Sequence, residues 1–202
     1  MADANPLVSD RDVEFVLHEV LDVCSLCRLP YFQDHSRETF DLYLSAARRL
    51  AREVLFPSYR AVDRDPPVLR DGKVTVHPLL HEIHPRIVAL GHTAAARPAE
   101  VGGQQLPLSV ATAAELYLMA GNLSAVSYAG LTAGAAHLLE AFGSEDLRRL
   151  YMEPMYRGEW TGTMALTEPQ AGSSLADVRT RARPASGGHF LVEGSKIFIS
   201  GG

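Results

Sequence analysis

Lysine is almost missing from this chain: of 19 basic residues, only Lys73 and Lys196 are lysines, the rest being arginine. That bias reflects genome composition rather than function. Cysteine is also scarce, with Cys24 and Cys27 alone, so no disulfide framework is available and a reducing compartment is the simplest setting. No apolar run approaches the ~20 residues that cross a bilayer. The opening MADANPLVSDRD has neither the basic flank and apolar core of a secretory signal nor the Arg-rich, acid-poor character of a transit peptide, and the expected location is the cytoplasm. A net charge of −5 argues against nucleic acid or an anionic membrane as an electrostatic partner. Repeats and low-complexity segments are absent as well.

What is present divides by period. The 202 residues suffice for one sizeable domain, or one and part of a second. Val13, Val16, Leu17, Val20, Leu21, Cys24 and Cys27 fall on one face of a helix over 11–27, and Phe40, Tyr43, Leu44, Ala47, Leu50, Ala51 and Val54 do the same over 36–55. Ser36 is a candidate N-cap, and Pro57 lies just past the expected helix end. Residues 57–75, broken by Pro57, Pro66, Pro67 and Gly72, read as a surface connection. A helix is expected over 77–90 and a loop through RPAEVGGQQLP. Ala-rich segments 108–121 and 123–142, apolar on most faces, read as helices buried inside a bundle. Gly143 then closes the second of them, and Ser144 opens a short acidic-fronted helix.

From Trp160 the period falls to two. Trp160, Met164 and Leu166 alternate with Thr161, Thr163 and Ala165, and residues 178–183 alternate too; 189–193 and 196–200 read as a hairpin around Glu193-Gly194-Ser195. The fold class expected is α+β: an all-α helical bundle over 1–158, then over 159–202 the start of an antiparallel β-barrel or sandwich middle domain. Three or four strands are too few for a domain, so the chain reads as the front piece of a longer protein.

Two short stretches carry chemistry. MALTEPQAGSS, 164–174, turns at Glu168-Pro169 and then exposes the backbone of Gly172, Ser173 and Ser174 with no bulk over it, which suits a phosphate or another anion. On local composition alone an ordinary turn accounts for it better. In KIFIS, 196–200, alternation places Phe198 and Ser200 on one face about 7 Å apart, an aromatic beside a hydroxyl that could back a planar ring such as a flavin; a sandwich strand with one core aromatic accounts for it as well. Three further features are outweighed by structural readings. His77, His81 and His84 have helical spacing, but Pro78 and Pro85 confine the helix and no HExxH pattern is present. Cys24 and Cys27 fall on an apolar stripe. The Arg179, Arg181 and Arg183 face reads as a solvated strand face rather than a phosphate-steering one.

Together, LTEPQAGSSLADVRTRA and FLVEGSKIFISGG resemble the middle-domain signature of the acyl-CoA dehydrogenases, and GSEDLRRLYMEPMYRGEW resembles the family's approach to that domain. The N-terminal extension with FVLHEVLDV is similar to the branch that includes the 3-methylmercaptopropionyl-CoA dehydrogenases. The resemblance implies FAD as cofactor, an acyl-CoA substrate, an electron acceptor such as an electron-transfer flavoprotein, and a homodimer or homotetramer. It implies that Met164, Leu166 and Thr167 meet the flavin ring edge, with the Thr167 hydroxyl hydrogen-bonding it. Gly172 and Ser173 would follow the cofactor's phosphates, Ser173 also reaching the thioester ligand, while Phe198, Ile199 and Ser200 line the ring's other side. Phe198 stands where many members have Trp, and Ser174 where many have Asp, which removes a charge. The implied reaction is α,β-oxidation of the thioester with hydride transfer to flavin N5. The family's catalytic glutamate comes from a C-terminal helical domain with no counterpart here, so no catalytic base is named and the chain alone is expected to be inactive. Two rivals are a flavoprotein of this fold recruited to DNA-damage response, against which the net charge of −5 counts, and a cofactor-free helical interaction module.

Overall fold

The structure is a computed structural model that describes residues 8–201. Most of the opening stretch inspected for targeting signals, residues 1–7 of the expected helical segment, and Gly202 lie outside the described residues. Helix α1, Asp10–Glu14, is capped by the Ser9 side chain and runs on as a π turn over Phe15–Val20. Asp22 then takes a left-handed φ of 42° and breaks the run before a 3₁₀ turn, Val23–Arg28. The single helix expected over 11–27 is thus two pieces, because the backbone reverses hand at Asp22.

Helix α2, Arg37–Leu50, opens with Ser36 as expected: the Ser36 hydroxyl accepts from the Thr39 N–H and Thr39 Oγ1 accepts from the Ser36 N–H. It does not end before Pro57. A π turn, Ala51–Leu55, passes the Phe56 N–H to the Ala51 carbonyl, and Pro57 enters the first turn of α3, Phe56–Arg64, where it forfeits no regular hydrogen bond. The connection expected from 57 onward therefore starts only after Arg64, and it contains a small hairpin, β1 (Val68–Arg70) against β2 (Lys73–Thr75), turning through Asp71 and Gly72. Helix α4 spans Pro78–Ala89.

Helix α5, Leu108–Phe142, crosses the others and is broken at Asn122 (φ −162°, ψ 91°), the position that separates the two helices expected from sequence. Gly121 lies where the helix presses on the π turn: a Cβ there would sit 2.8 Å from Leu55 Cβ. Asn122 is buried. Its Oδ1 accepts from the Ala125 N–H at 3.1 Å and its Nδ2 donates to Ser58 Oγ at 2.9 Å, so one side chain caps the second half of α5 and ties it to α3. Helix α5 ends at Gly143, in extended rather than left-handed geometry. Ser144 then caps α6 (Glu145–Leu147), which continues through a π turn, Arg148–Met152, into α7 (Glu153–Tyr156).

The main core lies between α2, the π turn, α4 and α5. Phe40, Leu55, Ile83, Ile87 and Leu118 are each under 2% exposed, and burying such a side chain is worth about 1.5–3 kcal/mol. A smaller core of Ala94, Ala136, Met152 and Tyr156 seats α7 on the second half of α5. Beside it the Arg97 guanidinium pairs with the Glu140 carboxylate, which also accepts from the Tyr156 hydroxyl at 2.6 Å. That guanidinium holds the Glu140 carboxyl below the usual carboxylate range. Among the described residues no helix is long and apolar enough to cross a membrane.

The β part departs from expectation in register. The ladder after residue 158 pairs β3 (Arg181–Pro184) with β4 (Phe190–Glu193), antiparallel, Arg181 opposite Glu193. The turn lies over 185–189, where Gly187 and Gly188 both take positive φ, and not over Glu193-Gly194-Ser195. Gly194 serves instead for close approach, since a Cβ there would lie 2.1 Å from Thr180 Oγ1. Residues 161–167 and 196–200 form no ladder, and no closed barrel is present among the described residues.

Candidate functional site

Glu168 organises the segment after the helices. It precedes Pro169, is 3% exposed, and turns its carboxylate inward. Oε1 accepts from the Thr180 N–H at 2.9 Å, the Thr180 hydroxyl at 2.5 Å and Lys196 Nζ at 2.9 Å. Oε2 accepts from the Arg179 N–H at 2.8 Å and Gln170 Nε2 at 2.6 Å. The Thr180 hydroxyl, the Arg179 N–H and Lys196 hold this carboxyl far below the usual carboxylate range. A general base should titrate near the working pH, so Glu168 is a fixed anion that clamps three chain segments together. Sequence reading used it only as the residue before a proline. The signal that could have found it is Lys196, one of two lysines in the chain, whose ammonium also reaches the Leu166 carbonyl.

The clamp lays the two chemistry-bearing stretches side by side. The Ile197 N–H donates to the Thr167 carbonyl at 3.0 Å, and the Thr163 hydroxyl donates to the Ser200 carbonyl. The pair is seated on the second half of α5. The Gly162 N–H donates to Thr132 Oγ1 at 3.1 Å, a Cβ on Gly162 would come within 2.6 Å of Ala135 Cβ, and Gly201 packs beside Tyr128 and Leu131. The strict alternation expected in KIFIS fails at Phe198, whose φ of 55° turns the side chain out to 87% exposure. Phe198 and Ser200 therefore do not share a regular strand face.

Around this pair the sequence-predicted residues present a row of unused donors. Among the described residues, no N–H of 164–167, 172–174 or 198–200 has a hydrogen-bond partner, and neither does the Thr167, Ser173 or Ser174 hydroxyl. Met164, Leu166, Gly172, Ser173 and Ser200 are exposed, and Thr167 and Ile199 half-buried. The space over Gly172 is open, with nothing within 4 Å of a Cβ built there. Thr167, Ile197 and Leu166 are thus brought together, with Gly172 and Ser173 following the turn that Glu168 anchors.

The other candidates take structural places. The His77 side chain caps α4 by accepting from the Leu79 N–H at 3.1 Å, and no group of three metal-ligating side chains occurs among the described residues. Cys24 and Cys27 are free thiols packed against the core, and burial pushes the Cys24 thiol up, away from reactivity. Arg183 pairs with Glu193 across the exposed hairpin.

The chain matches the family model described as "Acyl-CoA dehydrogenase, N-terminal domain" over residues 37–159. It is 30% identical to the 3-methylmercaptopropionyl-CoA dehydrogenase of Ruegeria pomeroyi over 95% of this chain and 33% of that protein. It is 33% identical to a butyryl-CoA dehydrogenase of Syntrophomonas wolfei over 100% of this chain and 34% of that protein. The chain thus spans about a third of the length of these curated relatives. Among solved structures, butyryl-CoA dehydrogenase from Megasphaera elsdenii superposes with a TM-score of 0.65 at 22% identity, covering 82% of this chain and 41% of that one. Glutaryl-CoA dehydrogenase from Mycobacterium smegmatis gives 0.67 at 23%, covering 88% and 42%. At these identities the likeness is one of fold.

Proposed function

Because the chain belongs to the acyl-CoA dehydrogenase family, we propose that it contributes flavin-facing residues to an FAD-dependent oxidoreductase that oxidises the α,β bond of an acyl-CoA thioester. The observation that carries this reading is the row of unpartnered donors at 164–167 and 172–174, next to the Glu168 clamp, with open space over Gly172. The residues fit the group: a flavin edge asks for backbone amides and a hydroxyl, which Met164, Leu166 and Thr167 offer. A pyrophosphate asks for N–H groups without bulk over them, which Gly172 and Ser173 offer. Phe198, Ile199 and Ser200 would bound the ring, and Ser173 would also face the thioester. FAD supplies a hydride acceptor, flavin N5; this chain's own residues bind and orient. Among the described residues no carboxylate is assigned as base, and Glu168 is excluded from that role by its five donors.

Solved structures of this fold include PigA with FAD and an electron transferring flavoprotein of Acidaminococcus fermentans. In line with them, electrons would pass on to an acceptor of the latter kind. We place the division between the helical and β portions at 158/159, the protein in the cytoplasm, and the assembled state at a homodimer or homotetramer. The test is FAD binding by the purified chain, followed by flavin fluorescence. Saturable quenching that weakens at least fivefold in Thr167→Val and Gly172→Leu is expected; FAD fluorescence that the chain leaves unchanged overturns the reading.

A further inference from the structure

Cys24 and Cys27 sit three apart in the 3₁₀ turn Val23–Arg28, both free and half-buried. In such a turn, side chains at i and i+3 eclipse and their Cα atoms lie about 6 Å apart, inside the range a disulfide spans. The break at Asp22 gives Cys24 a further neighbour. In a continuous helix, His18 and Cys24 would stand about 9 Å apart along the axis and on different faces. The left-handed turn at Asp22 instead brings Cys24 Sγ to 3.7 Å from His18 Nδ1. The other ring nitrogen, Nε2, is buried without a hydrogen bond among the described residues, and Asp41 Oδ1 on α2 lies 3.4 Å from it. Asp41 is in turn 3.6 Å from Arg37 Nε. A thiol, an imidazole in contact with it and a carboxylate behind the imidazole are the three parts of an activated nucleophile. These side chains form no metal-ligating group of three among the described residues.

We propose that Cys24 and Cys27 form a thiol–disulfide exchange site for small-molecule disulfides, with His18 the proton acceptor for Cys24. Burial, then the neighbouring Cys27, pushes the Cys24 thiol up; Asp22 and Asp41 act the same way, and Arg37 opposes them. A thiol held there without a base stays protonated and inert, so the imidazole in contact decides its reactivity. The Cys24 proton passes to His18 Nδ1, leaving an imidazolium that faces the Asp41 carboxylate, and the Cys24 sulfur attacks one sulfur of the small disulfide. That S–S bond breaks, a mixed disulfide forms on Cys24, and the departing thiolate takes the proton back from His18. Cys27 then gives its proton to water, attacks the Cys24 sulfur and closes the Cys24–Cys27 bond. The second thiolate expelled takes up a proton from water. Two protein thiols are oxidised, and the small disulfide is reduced to two thiols. No step draws on the flavin reading.

The test incubates the purified chain with oxidised glutathione and reads intact mass and free thiols after denaturation. Wild type should lose both thiols and keep no glutathione, whereas Cys27→Ser should stop with one glutathione on Cys24. In that Cys27→Ser background, His18→Gln should slow the addition about tenfold or more, as loss of a positioned base implies. Asp41→Asn, at an exposed position on α2, should slow it less while keeping the helical circular dichroism of wild type. In urea, where the turn is gone, the Cys27→Ser chain and its His18→Gln and Asp41→Asn derivatives should react at one rate. That equality separates proton transfer in the folded site from any intrinsic change in the thiol. A wild-type chain that keeps both thiols, or that holds glutathione on Cys24, overturns the site. So do His18→Gln and Asp41→Asn derivatives that react as fast as the Cys27→Ser chain when folded.

Discussion

Asn122→Ala gives the sharpest view of how the bend in α5 is held. The asparagine is 1% exposed and makes two hydrogen bonds, one capping Ala125 and one to Ser58, whose own hydroxyl donates to the Leu55 carbonyl at 2.6 Å. Truncation leaves the buried Ala125 N–H without a partner, at about 1–3 kcal/mol, and removes the Ser58 bond, at about 1 kcal/mol. The expected loss is about 2–4 kcal/mol, a fall in Tm of roughly 5–15 °C for a chain of this size. Alanine cannot recover the loss by straightening α5, because Gly121 already lies against Leu55 and Ala51 and the break sets the angle at which the second half leaves. The assay is urea denaturation followed by far-UV circular dichroism, comparing midpoints at unchanged slope. A double-mutant cycle with Ser58→Ala should give a coupling of about 1 kcal/mol. A loss under about 0.5 kcal/mol for Asn122→Ala, or no coupling, would refute the claim that this side chain holds the bend.

Three further outcomes follow from the same geometry. Leu118→Ala, at a fully buried position on α5, should cost about 2–5 kcal/mol in the same denaturation assay. Glu168→Gln and Lys196→Met should each loosen residues 163–171 and 196–200, seen as faster amide exchange at Ile197 and Thr180 and weaker FAD binding, with α2 protection unchanged. Stability should decline as pH falls below about 6.5. Burial lowers the pKa of His84 and His92 from their ordinary 6.5, so the unfolded chain takes up protons first, and Glu140, lowered from 4.5, adds to the loss at more acid pH. Thermal unfolding between pH 7.5 and 4 checks this, and a Tm that rises on acidification contradicts it.

A buried stripe at 3.6 spacing made α2 legible, and Ala-rich composition, apolar on most faces, made both halves of α5 legible, including their meeting at 122. Neither showed that the helix runs through Pro57. A π turn depends on where one carbonyl points, and proline spacing does not report that. The β segment was readable as extended but not in register: two consecutive glycines at 187 and 188 decide the turn, whereas Gly194 is small because Thr180 lies against it. Of the candidate site, Gly172 and Ser173 stand out by their small residue types, and Thr167 only through the family resemblance. The clamp on Glu168 was not legible, since its donors are distributed over Gln170, Arg179, Thr180 and Lys196 and converge only in space.

The most direct test of the proposed flavin contacts is an amide map of the ¹⁵N-labelled chain titrated with FAD. The account predicts that the amides of 164–167, 172–174 and 198–200 shift together with a single saturation curve, while those of α2 and α3 stay in place. Shifts confined to the helices, or none at the saturating concentration, would contradict it.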